Sequence, residues 1–92
     1  GYLSLDDGAV RVLKESGKSL LAVGITAVEG VFKRGDLVSC VDSSGHEVAR
    51  GLVNYAASDV QLIKGRSSDE FEVLLGYSDD AEVIHRDNLV LL

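Results

Sequence analysis

Gly17-Lys18-Ser19 carries the closing letters of a phosphate-binding loop. That chemistry needs a glycine-rich turn opening a helix, so that backbone N–H groups point at phosphate oxygens. The glycine required five residues earlier is Val12, and Gly17 closes a helical pattern instead of opening one. The triplet therefore reads as a helix end running into a strand. His85-Arg86-Asp87 copies the start of a protein-kinase catalytic loop, whose metal-binding Asn belongs five residues after the Asp. Leu92 stands there, and Asn88 follows Asp87 at once, which is the chemistry of a polar turn. Cys40, His46 and His85 have no zinc-ligand spacing, and Cys40 lies in an apolar run where it acts as a small hydrophobe. Asp79-Asp80-x-Glu82 reads as a solvated acidic loop with too few fixed oxygens for magnesium. No nucleophile has a recognisable partner. No catalytic, cofactor-binding or metal-binding residue is assigned.

The basic residues offer a different chemistry. Arg11, Lys14 and Lys18 are spaced i, i+3, i+7, which sets them on one stripe along a helix and its exit. Lys33-Arg34 adds a basic turn, and Arg50, Lys64 and Arg66 lie further on. Such stripes grip nucleic-acid backbones by neutralising phosphates, although the same spacing also describes an ordinary solvated helix face. The aromatics Tyr2, Phe32, Tyr55, Phe71 and Tyr77 are scattered, so no base-stacking platform is spelled out. The formal charge of −6 is unevenly placed. Residues 1–66 hold eight acids and eight bases, whereas residues 67–92 hold seven acids against Arg86 alone. A local basic surface in the first two-thirds is compatible with the acidic total.

The elements that must position these residues follow from pattern and punctuation. Tyr2–Leu5 predicts a first strand. Asp6 and Asp7 supply N-cap chemistry for a helix that puts Ala9, Val10 and Leu13 on one face and ends at Gly17. Ser19–Val28 is apolar and β-prone, which predicts two strand segments bent at Gly24. Lys33–Asp36 is a turn, Leu37–Val41 a strand, Ser43–Gly45 a hairpin connection and Glu47–Tyr55 the returning strand. Ser58-x-x-Gln61 and Ser67-x-x-Glu70 each spell a capping box, predicting short helices that end at Gly65 and Gly76. The second places Phe71, Leu74 and Leu75 on one face. Val83-Ile84 and Leu89–Leu92 supply the last strand material. The expected class is α+β and β-rich: about five or six mixed strands rolled into a partly closed barrel, with short helices.

Ninety-two residues without internal repeats or a low-complexity linker make one domain, 1–92. No apolar run reaches the ~18 residues of a membrane span, and a lone cysteine excludes a disulfide-stapled mini-protein. The cytoplasm is the default home. A chain with no Met has lost its initiator or is a piece of a longer polypeptide.

Leu5-Asp-Asp-Gly-Ala9, Gly17-Lys-Ser-Leu-Leu21, Gly24-Ile25 and Phe32-x-x-Gly35-Asp36-x-Val38 resemble the PUA domain, a small β-rich module of RNA-modifying enzymes. Ala49-Arg-Gly-Leu-Val-Asn-Tyr55, Leu75-Gly76-Tyr77 and Ile84-His-Arg-Asp-Asn-Leu-Val90 resemble one branch of it, the C-terminal domain of bacterial glutamate 5-kinases. The resemblance covers essentially the whole chain and implies a PUA-like pseudo-barrel. It implies a parent that phosphorylates L-glutamate with ATP and magnesium in the first step of proline biosynthesis. The kinase chemistry would sit in a preceding domain, the parent would be homo-oligomeric, and this domain would be a non-enzymatic accessory that tunes proline feedback or metal requirement. In that role Arg50, Asn54, Tyr55, His85, Arg86, Asp87 and Asn88 are expected to support the fold or an interdomain contact. The alternative implied by the wider family is RNA binding through Arg11, Lys14, Lys18, Lys33 and Arg34, in the groove beside the first helix and the next strand, the segments Arg11 to Lys18 and Ser19 to Ile25.

Overall fold

The computed structural model describes residues 1–92. Five strands form one mixed sheet: β1 (Tyr2–Leu5), β2 (Ile25–Glu29), β3 (Leu37–Val41), β4 (Glu47–Leu52) and β5 (Leu89–Leu91), in the spatial order β2-β1-β3-β4-β5. The pair β1/β3 is parallel and the others are antiparallel. Three α-helices, α1 (Asp7–Ser16), α2 (Ala57–Ile63) and α3 (Phe71–Leu75), complete the α+β class expected from the sequence. Leu3, Leu5, Val38 and Cys40 alternate inward from β1 and β3, and Leu13, Val60, Ile63, Phe71, Val83 and Ile84 close over them in one apolar core. No buried side-chain polar atom lacks a partner.

The first helix forms as its punctuation demands. The Asp6 carboxylate accepts a hydrogen bond from the Ala9 amide at 2.7 Å, and Gly17 ends the helix in the left-handed region at φ 58°. Gly24 has a different task. A Cβ there would lie 2.5 Å from the Cβ of Ala9, so only glycine lets α1 pack this closely on the following segment.

Four expectations are corrected. The Ser19–Val28 stretch is not two strands: Leu20 makes a single bridge to Ile84, Ala22–Gly24 is a 3-10 turn, and β2 begins only at Ile25. The returning strand stops at Leu52, because Asn54 and Tyr55 turn away to hold the 80–83 segment. Val83-Ile84 is buried connection with one bridge. Ser58 caps nothing: α2 starts at Ala57 with Ala56 at the N-cap and no side-chain cap, and Gln61 reaches across to donate to the Val28 carbonyl at 3.2 Å. Ser58-x-x-Gln61 has the right letters two residues too late. The second box is real: Ser67 and Glu70 satisfy each other's backbone, and Gly76 ends α3 at φ 82°.

Candidate functional site

The principal concavity is a groove of about 740 Å³ between α1 and the segment that follows it. One wall is Ala9, Val12 and Leu13 of α1, behind the cap Asp6. The floor and opposite wall are Lys18 through Leu21, Val23 and Gly24, and the far end is closed by Glu82, His85 and Arg86. Gly24 sets its depth through the contact with Ala9. Its mouth is zipped to the end of the chain by backbone bonds, Leu20 N–H to the Ile84 carbonyl at 2.9 Å and Val83 N–H to the Leu20 carbonyl at 2.9 Å. Ser19 Oγ accepts from the Arg86 amide at 2.8 Å. Val12, Leu21 and Val23 are apolar yet exposed along this groove. The charged groups that line it are two cations, Lys18 and Arg86, and two carboxylates, Asp6 and Glu82.

The predicted basic residues do not converge. Of Arg11, Lys14 and Lys18, only Lys18 lines the groove; Arg11 and Lys14 are exposed elsewhere on α1. Lys33 is exposed in the β2–β3 turn, where its amide donates to Asp36. Arg34 is held by the acidic tail, at 3.4 Å from Asp79 and 2.9 Å from Asp80. Arg66 likewise meets Glu70 at 3.4 Å. Two of the acids segregated at the end of the sequence, Asp79 and Asp80, are thus folded back onto a cation of the first two-thirds.

The second group of expected residues divides into three clusters. Tyr55 is buried with its hydroxyl on Asp80, donating to the carbonyl and accepting from the amide at 3.1 Å; burial pushes its pKa up. Asn54 donates from its side chain to the Glu82 carbonyl at 3.0 Å and from its backbone to the Val83 carbonyl at 2.8 Å. These two residues thus anchor the segment that closes the groove. His85, Arg86, Asp87 and Asn88 form the polar turn, a 3-10 segment (Arg86–Asn88) in which His85 Nδ1 accepts from the Asp87 amide at 3.1 Å. Arg50 lies apart on the outer face of the sheet. It donates to both oxygens of Glu47, at 2.8 and 2.9 Å, while Glu47 also accepts from Ser39 at 2.5 Å. Those bonds, from Arg50 first and Ser39 second, pull the Glu47 carboxyl down to about 2. Cys40 is buried beneath this cluster, and its burial raises the thiol to about 12, which leaves it inert.

Local spacing marks Asp6 as a helix cap, Glu82 as part of an acidic loop, and Leu21 and Val23 as strand. Nothing in their local spacing says that the chain end returns to face them.

A mixed five-stranded sheet, with α1 packed against the 18–24 segment and the chain end bridged to it, defines a small α+β module. The chain belongs to the PUA domain family, whose sequence profile matches residues 1–75. A PUA domain from Aeropyrum pernix K1, solved as a tartrate complex, superposes with a TM-score of 0.67 at 22% identity, covering 92% of this chain and 41% of that one. The glutamate 5-kinase of Saccharophagus degradans is 62% identical over 92 residues, all of this chain but 25% of that protein. The glutamate 5-kinase of Halorhodospira halophila is 63% identical over 91 residues, 99% of this chain and 24% of that protein. The chain therefore spans about a quarter of the length of these curated relatives, matching their C-terminal end.

Proposed function

We propose that this chain is the C-terminal accessory domain of a glutamate 5-kinase. The observation that carries the reading is 62% identity over all 92 residues to a protein of that name. In this reading the parent transfers the terminal phosphoryl group of ATP, with magnesium, to the side-chain carboxylate of L-glutamate, giving L-glutamyl 5-phosphate and ADP. The reacting groups belong to the remaining three-quarters of the parent, a kinase domain that is this domain's first partner. This domain tunes that chemistry through proline feedback, metal requirement or assembly of a cytoplasmic homo-oligomer. Asn54, Tyr55 and the His85–Asn88 turn act as scaffold, since their hydrogen bonds are made within the domain.

The RNA reading is the weaker one. Of its proposed contacts Arg11, Lys14, Lys18, Lys33 and Arg34, only Lys18 lines the groove, Arg34 is paired with Asp80, and Asp6 and Glu82 offset Lys18 and Arg86 there. A polyanion gains from several unopposed cations. The test compares the full-length protein with a version lacking this domain. ATP- and glutamate-dependent acyl-phosphate formation, trapped as the hydroxamate, is expected from the full-length protein. Removal of the domain is expected to change proline sensitivity, magnesium dependence or assembly. No acyl phosphate from the full-length protein, or no change in any of the three on removal, overturns the corresponding half of the reading. A salt-dependent titration with structured RNA is expected to show no binding that Lys18→Glu abolishes.

A further inference from the structure

The outer face of the sheet breaks the usual rule that an antiparallel sheet with one solvated side turns polar residues to water. One row across it is Tyr2, Ser39, Arg50 and Val90, each paired to the next through the strand registers. Leu37 is paired with Leu52 in the neighbouring row. Four large apolar side chains thus share this face with Arg50: Tyr2 is 43% exposed, Leu37 62%, Leu52 43% and Val90 63%. At its centre the charges are already matched, since Arg50 is bound to both oxygens of Glu47 and Glu47 to Ser39; the same row ends beyond Tyr2 in the exposed carboxylate of Glu29 at the β2 edge. A pre-paired centre ringed by Tyr2 and aliphatic groups, with a further acid at its edge, has nothing with which to hold a phosphate backbone. It fits an apolar protein surface.

We propose that this face docks the domain onto the part of the parent chain that precedes it. The inference rests on the reading of the chain as the C-terminal quarter of a longer protein, and two observations favour that occupant. The relatives extend well beyond the matched quarter, and the match lies at their C-terminal end. The register then says where the preceding chain arrives. The strand β1 runs parallel to β3 with Tyr2 beside Ser39, and the Gly1 carbonyl accepts from the Ser39 amide at 3.2 Å. Continued one residue back from Gly1, β1 comes alongside Leu37, which is paired with Leu52. The entering chain is thereby delivered onto the apolar patch itself.

The test is cysteine labelling in the full-length protein. Leu37→Cys, Leu52→Cys and Val73→Cys are made singly and labelled with a maleimide under native conditions, and each site is read by peptide mass spectrometry. Val73 lies on α3 and is 88% exposed, so it reports the unprotected rate. All three replace exposed side chains, and an unchanged circular-dichroism spectrum and melting temperature confirm that each variant is folded. Positions 37 and 52 are expected to label roughly tenfold or more slowly than position 73, the factor imposed by a docked state favoured ten to one. Labelling of both at the rate of position 73 overturns the proposal. Protection that disappears on dilution, with a matching fall in molecular mass, also overturns it, since the occupant would then be a second copy. If the sites are protected but the protein forms no glutamyl phosphate, the kinase reading fails while the docking surface stands.

Discussion

Tyr55→Phe isolates one contact on which the closure of the groove depends. The ring stays packed edge-on against Phe71, with centroids 5.8 Å apart and planes at 82°, so the change opens no cavity. It removes only the hydroxyl, which donates to the Asp80 carbonyl and accepts from its amide. A typical net hydrogen bond contributes about 1 kcal/mol, and a buried group left without its partner costs about 1–3 kcal/mol. Asp80 is half-buried, so water can reach part of what is freed, and the expected loss is about 2 kcal/mol. At roughly 2.1 cal/mol/K per residue, a domain of this length unfolds with an entropy near 0.19 kcal/mol/K, and the melting temperature should fall by about 10 °C. Urea unfolding should show a lower midpoint with an unchanged slope, because the same surface is exposed. Tyr77→Phe is the control: it removes an exposed bond to Asp59, 2.5 Å long, and should cost less than about 1 kcal/mol. If Tyr55→Phe shifts the melt no more than Tyr77→Phe, the anchoring of the 80–83 segment by Tyr55 is wrong.

Gly24→Ala should destabilise by about 1–3 kcal/mol through overpacking against Ala9, and pairing it with Ala9→Gly should restore part of that loss in a double-mutant cycle read by urea unfolding. Ser67→Ala should cost about 1 kcal/mol as a lost cap, whereas Ser58→Ala should be neutral within about 0.5 kcal/mol; equal losses would contradict the placement of Ser58 inside α2. Glu47 predicts an acid limb in the stability profile. Its folded pKa lies near 2 against an ordinary 4.5, so its contribution is fully present above 4.5 and is lost as the pH falls from there towards 2. Glu47→Gln should flatten that limb in acid titrations of the melting temperature, and a profile identical to that of the parent sequence would refute the assignment.

Where the signal is local, the residues spelled the structure out. Asp6 as a cap, Gly17 as a left-handed helix end and the Ser67–Glu70 box all act within four residues of themselves, so their chemistry is complete in the sequence. The alternation of Leu3 and Leu5, and of Val38 and Cys40, announced strands with one buried face. The misread segments depend on distant partners. Leu20 and Ile84 make a lone bridge across more than sixty residues, and Gln61 spends its side chain on Val28, 33 positions away, instead of on its own helix. A capping box cannot reveal that its glutamine is wanted elsewhere.

The candidate site shows the same division. Its basic members were visible as residue types, but their company was not. Arg34 lies 45 and 46 positions from Asp79 and Asp80, and Glu82 joins Lys18 in the groove only because Asn54 and Tyr55 hold the 80–83 segment in place. The sequence by itself determined the locally punctuated elements, the α+β class, the family and the surplus of acid in the last 26 residues, because propensity, capping and composition are properties of neighbours along the chain. Only the tertiary structure decided where that acid lies and which apolar side chains stay in water. Charge pairing and burial depend on distance in space, and chain closure over tens of residues sets that distance.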